Sequence, residues 1–204
     1  MDQASEFAFT EVRSGARGGK VRIDRLPIGI ALGIVPCNVP IFLACLKLAT
    51  ALLAGCPVVL KPSPENVDSM ACFSRYLARM DLPAGAVNLI LGGRILGDHL
   101  VRNDVFREVS FTGSSASGLA VAQLCAQRFA RVTLELGGKS SAILLDDVDF
   151  TEVKDQLWLA MLQNNGQVCG AQSRVLIPKS RAPELRAALR EMFEAVSYTH
   201  LRAH

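Results

Sequence analysis

Apolar and polar positions divide the chain into short alternating elements. Residues 1–19 are polar and become glycine-rich, which reads as a connector. Residues 20–25 alternate charged with apolar side chains, the period of an exposed antiparallel strand. Residues 27–35 then turn almost wholly apolar, as a buried strand does. After Pro36-Cys37-Asn38-Val39-Pro40, residues 41–54 are apolar on every side except at Lys47 and Thr50. That pattern predicts a helix buried all round, started by Pro40 at its first position and ended by Gly55.

The alternation continues to the end of the chain. Residues 57–60 read as a short buried strand that delivers Lys61 at its carboxyl end. Ser63 reads as an N-cap with Pro64 behind it. Val67, Met70, Phe73, Leu77 and Met80 then recur at helical spacing as a core stripe. A strand at 87–91 stops at Gly92-Gly93, and a short helix follows at 95–101. A strand at 109–111 opens into the small-residue turn 112–118 and a helix ending near Phe129. Further strands fall at 132–136, before Gly137-Gly138, and at 142–145. Thr151 reads as the cap of a helix to about Leu162. Beyond a loop at 164–174 come a strand at 174–177 and an amphipathic helix at 182–195.

Strand and helix alternating across short loops predict an α/β fold with a parallel sheet covered on both faces. Ligands of such sheets bind at the carboxyl ends of the strands. Asn38, Lys61, Gly92, Ser114 and Glu135 all fall at expected strand ends.

Composition narrows the chemistry. Half of the 204 residues are hydrophobic, ample for a packed core. The formal charge of +3 is spread among mixed acids and bases, and no basic run with interleaved aromatics points to nucleic acid. Six cysteines, none in a C-x-x-C pair and several in apolar helical runs, argue against zinc and against a disulfide framework. They fit a reducing compartment, the cytoplasm. The polar N-terminus carries no signal-peptide pattern. Residues 41–54 would make a helix of about 21 Å against roughly 30 Å of bilayer core, so no membrane span is expected. Histidines number three, two of them in the last five residues. A nucleophilic cysteine therefore has almost no histidine partner except His99, and its base is expected to be a carboxylate. Residues 197–204 resemble an in-frame sequencing adapter. They are expected to be non-native, with the reading frame cut short before its natural end.

Five stretches carry candidate chemistry. Cys169 lies between Gly166 and Gly170 among amide residues, where a thiol and a backbone N–H can both meet a substrate. It reads as a nucleophile or as an ordinary loop cysteine. Glu135 ends an apolar strand, where a carboxylate is costly to bury. It reads as a general base or as a surface acid paired with Lys139. Asn38 reads as an oxyanion donor or a turn former. Lys61 reads as a ligand for ribose hydroxyls or phosphate, or as a solvated cation. The turn 113–118 offers amides at a helix N-terminus, suited to a pyrophosphate, without being the G-x-G-x-x-G fingerprint.

Their order and combination resemble one family, the NAD(P)-dependent aldehyde dehydrogenase superfamily. The resemblance runs from about Gly19 to Val196. It rests on Pro36-Cys37-Asn38-Val39-Pro40, Lys61-Pro62-Ser63-Pro64-Glu65, Phe111-Thr112-Gly113-Ser114, Leu134-Glu135-Leu136-Gly137-Gly138-Lys139 and Gly166-Gln167-Val168-Cys169. It implies a Rossmann-like parallel-sheet cofactor domain plus the beginning of a second α/β catalytic domain. The implied boundaries are a connector and oligomerisation-type strand at 1–27, an NAD(P)-binding domain at 28–136, a partial catalytic domain at 137–196 and the adapter-like tail at 197–204.

The implied catalytic residues are Cys169 as nucleophile, Glu135 as base and Asn38 as oxyanion amide. Val35, Lys61, Gly92, Gly113, Ser114 and Leu136 are implied to line the site of NAD or NADP. The implied substrate is a small-molecule aldehyde, oxidised to the acid, and the full-length protein is expected to be a homo-oligomer. The other reading is an incomplete fragment that binds nucleotide at most. A CoA-acylating relative would keep Cys169 without needing Glu135 to activate water. Cys37 and Val39 depart from the aromatic residues usual in the family. Pro64 stands where an acid often bonds the ribose, with Glu65 one place later, so NAD versus NADP is left open.

Overall fold

The structure, a computed structural model, describes residues 5–194. The expected adapter-like tail lies outside the described residues. Contacts divide the chain after Leu136 into two compact units.

The first unit opens with an antiparallel hairpin, β1 (Thr10–Ser14) and β2 (Lys20–Asp24), in which Val12 faces Arg22. There follow β3 (Ile30–Val35), α1 (Pro40–Leu53), β4 (Val58–Pro62), a 3-10 turn at Pro64–Asn66, α2 (Val67–Leu77) and β5 (Val87–Leu89). Then come α3 (Arg94–Arg102), β6 (Phe106–Gly113), α4 (Ser115–Ala126) and β7 (Arg131–Leu136). Five strands form one parallel sheet in the order β5-β4-β3-β6-β7. The chain works outward from β3 to one edge, then returns to β6 on its other side. The neighbours β3 and β6 therefore send their chains to opposite faces, which opens a crevice at their carboxyl ends.

The two-residue period of β3 sorts its side chains between two cores. Leu32 and Ile34 join Val109 and Phe111 of β6, Val101 of α3 and Val121 of α4. Ala31 and Val35 join Ala44 and Leu48 of α1 and Val58 and Leu60 of β4. A fully buried aliphatic side chain of this size stabilises by about 1.5–3 kcal/mol, so β3, covered on both faces, anchors the unit.

The second unit contains β8 (Ser141–Ile143), α5 (Phe150–Leu162), a 3-10 turn at Gln163–Gly166, β9 (Arg174–Leu176), a 3-10 turn at Lys179–Arg181 and α6 (Ala182–Glu194). Strands β8 and β9 pair in parallel, with Ala142 opposite Val175. The Arg181 guanidinium stacks 4.6 Å from the Phe150 ring centre and donates to the carbonyls of Asp146 and Val148.

Several sequence expectations are corrected. The stretch 1–19 is not all connector, because Thr10–Ser14 is a strand whose partner lies beyond a glycine turn. Helix α1 is not buried all round. Only Ala44, Lys47 and Leu48 are buried on it, while Phe42, Leu46 and Leu53 are exposed. One helix on one sheet face covers a single stripe, whatever residues occupy the rest. Ser63 does not cap through its side chain, which instead bonds Glu65. Asp149 rather than Thr151 caps α5, accepting from the Thr151 N–H at 2.8 Å. Helix α4 stops before Phe129, where Arg128 turns back to donate to the Phe106 and Val101 carbonyls.

Candidate functional site

Within the first unit the expected cofactor residues stand at the carboxyl ends of all five strands. Val35 ends β3 and is 2% exposed. Gly92 follows β5, Gly113 ends β6, and Leu136 ends β7. Leu136 reaches over Gly118 of α4, where a β-carbon would come within 2.4 Å of it, so the missing side chain lets α4 lie close on the sheet. Ser114 caps α4, its Oγ accepting from the Ser117 N–H at 3.2 Å. The first amides of that helix lack intrahelical partners by construction and carry the positive end of its dipole.

Lys61 is 5% exposed at the end of β4, and its Nζ donates to the Pro62 carbonyl at 3.0 Å. Its stem runs beside Gly97 of α3, where a β-carbon would lie 3.4 Å from Cε. Burial lowers its pKa below the ordinary amine value, and the nearby Glu65 carboxylate opposes that shift. A buried cation at a strand end, held by a single carbonyl, suits an anionic or hydroxyl-rich ligand. On β6, two strands away across β3, Thr112 is buried and its Oγ1 has no hydrogen-bond partner among the described residues. A buried hydroxyl is seldom left unpaired without a functional reason. Lys61, the α4 amides and Thr112 together fit a dinucleotide laid across the strand ends.

Asn38 is half-buried in the loop after β3. Its Oδ1 accepts from the Val39 N–H at 3.0 Å, which orients the amide and fixes Nδ2 as its donor end. The loop is pinned from the next strand end, where buried Asn66 donates to the Pro36 carbonyl at 3.0 Å. Glu135 lies opposite Thr112 in the sheet register and is exposed, without the apolar wall its strand led one to expect. It lines a groove of about 350 Å³ with Lys47, Glu108, Ser110, Arg131 and Thr133.

Sequence reading missed Lys47, Asn66 and Thr112. The signal for Lys47 was present as one charge in an otherwise apolar turn of helix. It is 8% exposed, crosses bare Gly33 and donates to Ser110 Oγ at 2.8 Å. Burial pushes its pKa down to about 8, against the pull of Glu135 and Glu108. Between about 8 and 10.5 the unfolded chain holds a proton that the folded chain has released, so rising pH favours folding across that window. Lys47→Met, close in length and without a charge to desolvate, is expected to be more stable at pH 7 by on the order of 2 kcal/mol. The difference should shrink towards pH 10.5. Urea melts of both proteins across that range check this, and parallel stability profiles would refute it.

In the second unit Cys169 is exposed, in the loop between α5 and β9. Asn164, Asn165 and Gly166 are successively left-handed, with φ of 53°, 56° and 73°. Asparagine and glycine tolerate that region best, and three in a row turn the chain sharply off the end of α5. The loop is tied back where the Gln172 N–H donates to the Ala160 carbonyl at 2.8 Å, and Ala171 N–H to the Val168 carbonyl closes a turn around Cys169. The Cys169 carbonyl faces Gly138, where a β-carbon would sit 3.5 Å away. All six thiols are free. Cys125, by contrast, is buried, and burial pushes its thiol pKa up. Among the described residues no cluster of three or more metal-ligating side chains occurs, and no helix is long and apolar enough to cross a membrane.

A five-stranded parallel sheet with a crevice at β3 and β6, a capped helix N-terminus and a buried strand-end lysine defines a nucleotide-binding α/β protein. Comparison with known proteins narrows the class. The aldehyde dehydrogenase family model matches residues 1–203, and the chain belongs to that family. Geranial dehydrogenase of Castellaniella defragrans is 38% identical over 194 residues, covering 95% of this chain and 41% of that protein. The crystal structure of a Mycobacterium tuberculosis aldehyde dehydrogenase complexed with NAD+ superposes with a TM-score of 0.90 at 39% identity, over 94% of this chain and 40% of that one. Betaine aldehyde dehydrogenase from Staphylococcus aureus in complex with NAD+ gives 0.88 at 31% identity, over 96% and 39%. The chain thus spans about 40% of the length of the relatives it matches.

Proposed function

We propose that the full-length protein oxidises an aldehyde to its carboxylic acid with NAD+ or NADP+, through a thioester on Cys169. The observation that carries this reading is the placement of Val35, Lys61, Gly92, Gly113, Ser114 and Leu136 at the five strand ends of a chain in this family. On this reading residues 28–136 hold the cofactor and residues 137–196 belong to the catalytic domain. The protein works in the cytoplasm as a homo-oligomer.

The thiolate of Cys169 adds to the aldehyde carbon and gives a thiohemiacetal. The Asn38 amide and the Cys169 N–H are the donors that the family resemblance assigns to its oxyanion, the kind of group that stabilises developing negative charge. The nicotinamide dinucleotide, when bound, supplies the acceptor for the hydride that leaves this carbon. A thioester remains on Cys169. Glu135 takes a proton from water, the hydroxide attacks the thioester, the C–S bond breaks, and the acid departs with the thiolate restored. The exposure of Glu135 on its unit supports access to water.

A second reading applies to the 204-residue chain itself, and its short span against its relatives favours it. The chain binds nucleotide and catalyses nothing. Calorimetric titration with NAD+ beside an aldehyde-oxidation assay separates the two, and saturable binding without turnover is the expected result. Turnover by this chain would refute the second reading, and absence of any nucleotide binding would refute the cofactor site.

A further inference from the structure

Lys47 has no part in the cofactor site or in the reaction described above, yet it is buried and borders an open groove. Its stem leaves the sheet-facing side of α1 and crosses Gly33, and its Nζ donates to Ser110 Oγ at 2.8 Å. Helix α1 packs on β3 and β4. The groove beside it, of about 350 Å³, is as large as a small-molecule pocket. Its lining joins the apolar Leu26, Ile28 and Leu46 to the charged Glu108, Arg131 and Glu135, with Lys47 and Ser110 among them.

An amine tied to one hydroxyl on an apolar-walled groove is placed to react with a carbonyl carbon. A neutral lysine that donates one proton to Ser110 keeps its lone pair, and desolvated lysines are the ones that form Schiff bases. Burial supplies the neutral form. With a pKa of about 8, the uncharged share at neutral pH is roughly two orders of magnitude above that of an ordinary lysine. The groove also selects the electrophile. Glu108 and Glu135 disfavour an adduct that carries negative charge, such as a carbamate, and favour one that keeps the positive charge of the amine. Leu26, Ile28 and Leu46 suit a hydrocarbon tail. We propose that Lys47 is a covalent site, separate from Cys169, at which an uncharged aldehyde with an apolar tail forms an imine in the groove beside α1. The Nζ lone pair bonds the carbonyl carbon, and a proton passes from nitrogen to the carbonyl oxygen. The carbinolamine takes up a proton from solvent and loses its hydroxyl as water, leaving a protonated C=N bond. Nothing is oxidised or reduced, and neither nucleotide nor thiol is needed.

Reductive trapping of the 204-residue chain with hexanal and cyanoborohydride, read by peptide mass spectrometry, tests this without reference to turnover. The reductant fixes imines only, so adducts on thiols leave no record. Lys47 is expected to take at least about tenfold more label than the exposed Lys20, Lys139 and Lys179. That preference should vanish in guanidinium chloride, where the groove no longer exists. Glyoxylate, an anionic aldehyde, should show a preference for Lys47 at least about threefold smaller than hexanal does. Even labelling of the lysines, an unlabelled Lys47, or a preference that survives denaturation overturns the proposal. An equal preference with glyoxylate overturns the choice of an uncharged aldehyde.

Discussion

Cys169→Ala in the full-length protein is expected to lower aldehyde oxidation by roughly 10⁴-fold or more, with nucleotide affinity unchanged. The reason is chemical. Alanine has no atom that can bond the aldehyde carbon, so on the proposed mechanism neither thiohemiacetal nor thioester forms at residue 169. Cys56 and Cys125 are buried, and burial favours the unreactive thiol at Cys125. The exposed alternatives, Cys37, Cys45 and Cys72, belong to the first unit, on the loop after β3 and on α1 and α2. None has glycines opening the chain on both sides. Folding is expected to be untouched, since cysteine to alanine removes a single atom. The measurement is steady-state oxidation of an aldehyde panel beside a nucleotide titration. Undiminished kcat in the alanine variant would remove Cys169 from the mechanism.

On the proposed mechanism, Glu135→Gln is expected to separate the two halves of the reaction. Glutamine keeps the size and the strand position but cannot accept a proton, so the thioester forms and hydrolyses slowly. Steady-state turnover is expected to fall about 10²–10⁴-fold, the range a positioned base contributes. A rapid burst of reduced cofactor, up to one equivalent per site, should remain. Rapid-mixing absorbance at the reduced-nicotinamide band reads both phases. A burst lost together with turnover would place Glu135 before the thioester, and unchanged turnover would free it from any role. Circular dichroism of the variant, expected to match that of the unaltered protein, separates lost activity from unfolding.

Much of the fold was legible because local signals and tertiary packing agree. Residues 27–35 are continuously apolar, and β3 is indeed buried on both faces between two helical layers. Pro40 and Gly55 bracket α1 as a first-turn proline and a left-handed terminator should. The strand β1 was not legible, because Thr10-Glu11-Val12-Arg13-Ser14 is nearly all polar. What makes it a strand is pairing with β2 and the bonds from Arg25 to Glu11 and the Ala8 carbonyl.

The site divides the same way. Lys61 and Ser114 could be named because each follows an apolar run at the point where a strand must end. Asn66 could not, since an asparagine in a polar turn looks solvated until its amide is seen to pin the Asn38 loop.

The sequence by itself determined the alternation of strands and helices, the positions of the strand ends and the residues at them. These depend on side-chain period and on local turn chemistry, which short stretches specify. Only the tertiary structure decided the order β5-β4-β3-β6-β7, and with it which strand ends border the crevice. It also decided that Lys47 turns inward over Gly33, that Thr112 keeps a buried hydroxyl unpaired among the described residues, and that Ser63 binds Glu65 rather than capping a helix. The Lys47 outcome depends on Ser110, far away in the chain, and the Ser63 outcome on which of several competing local hydrogen bonds is made.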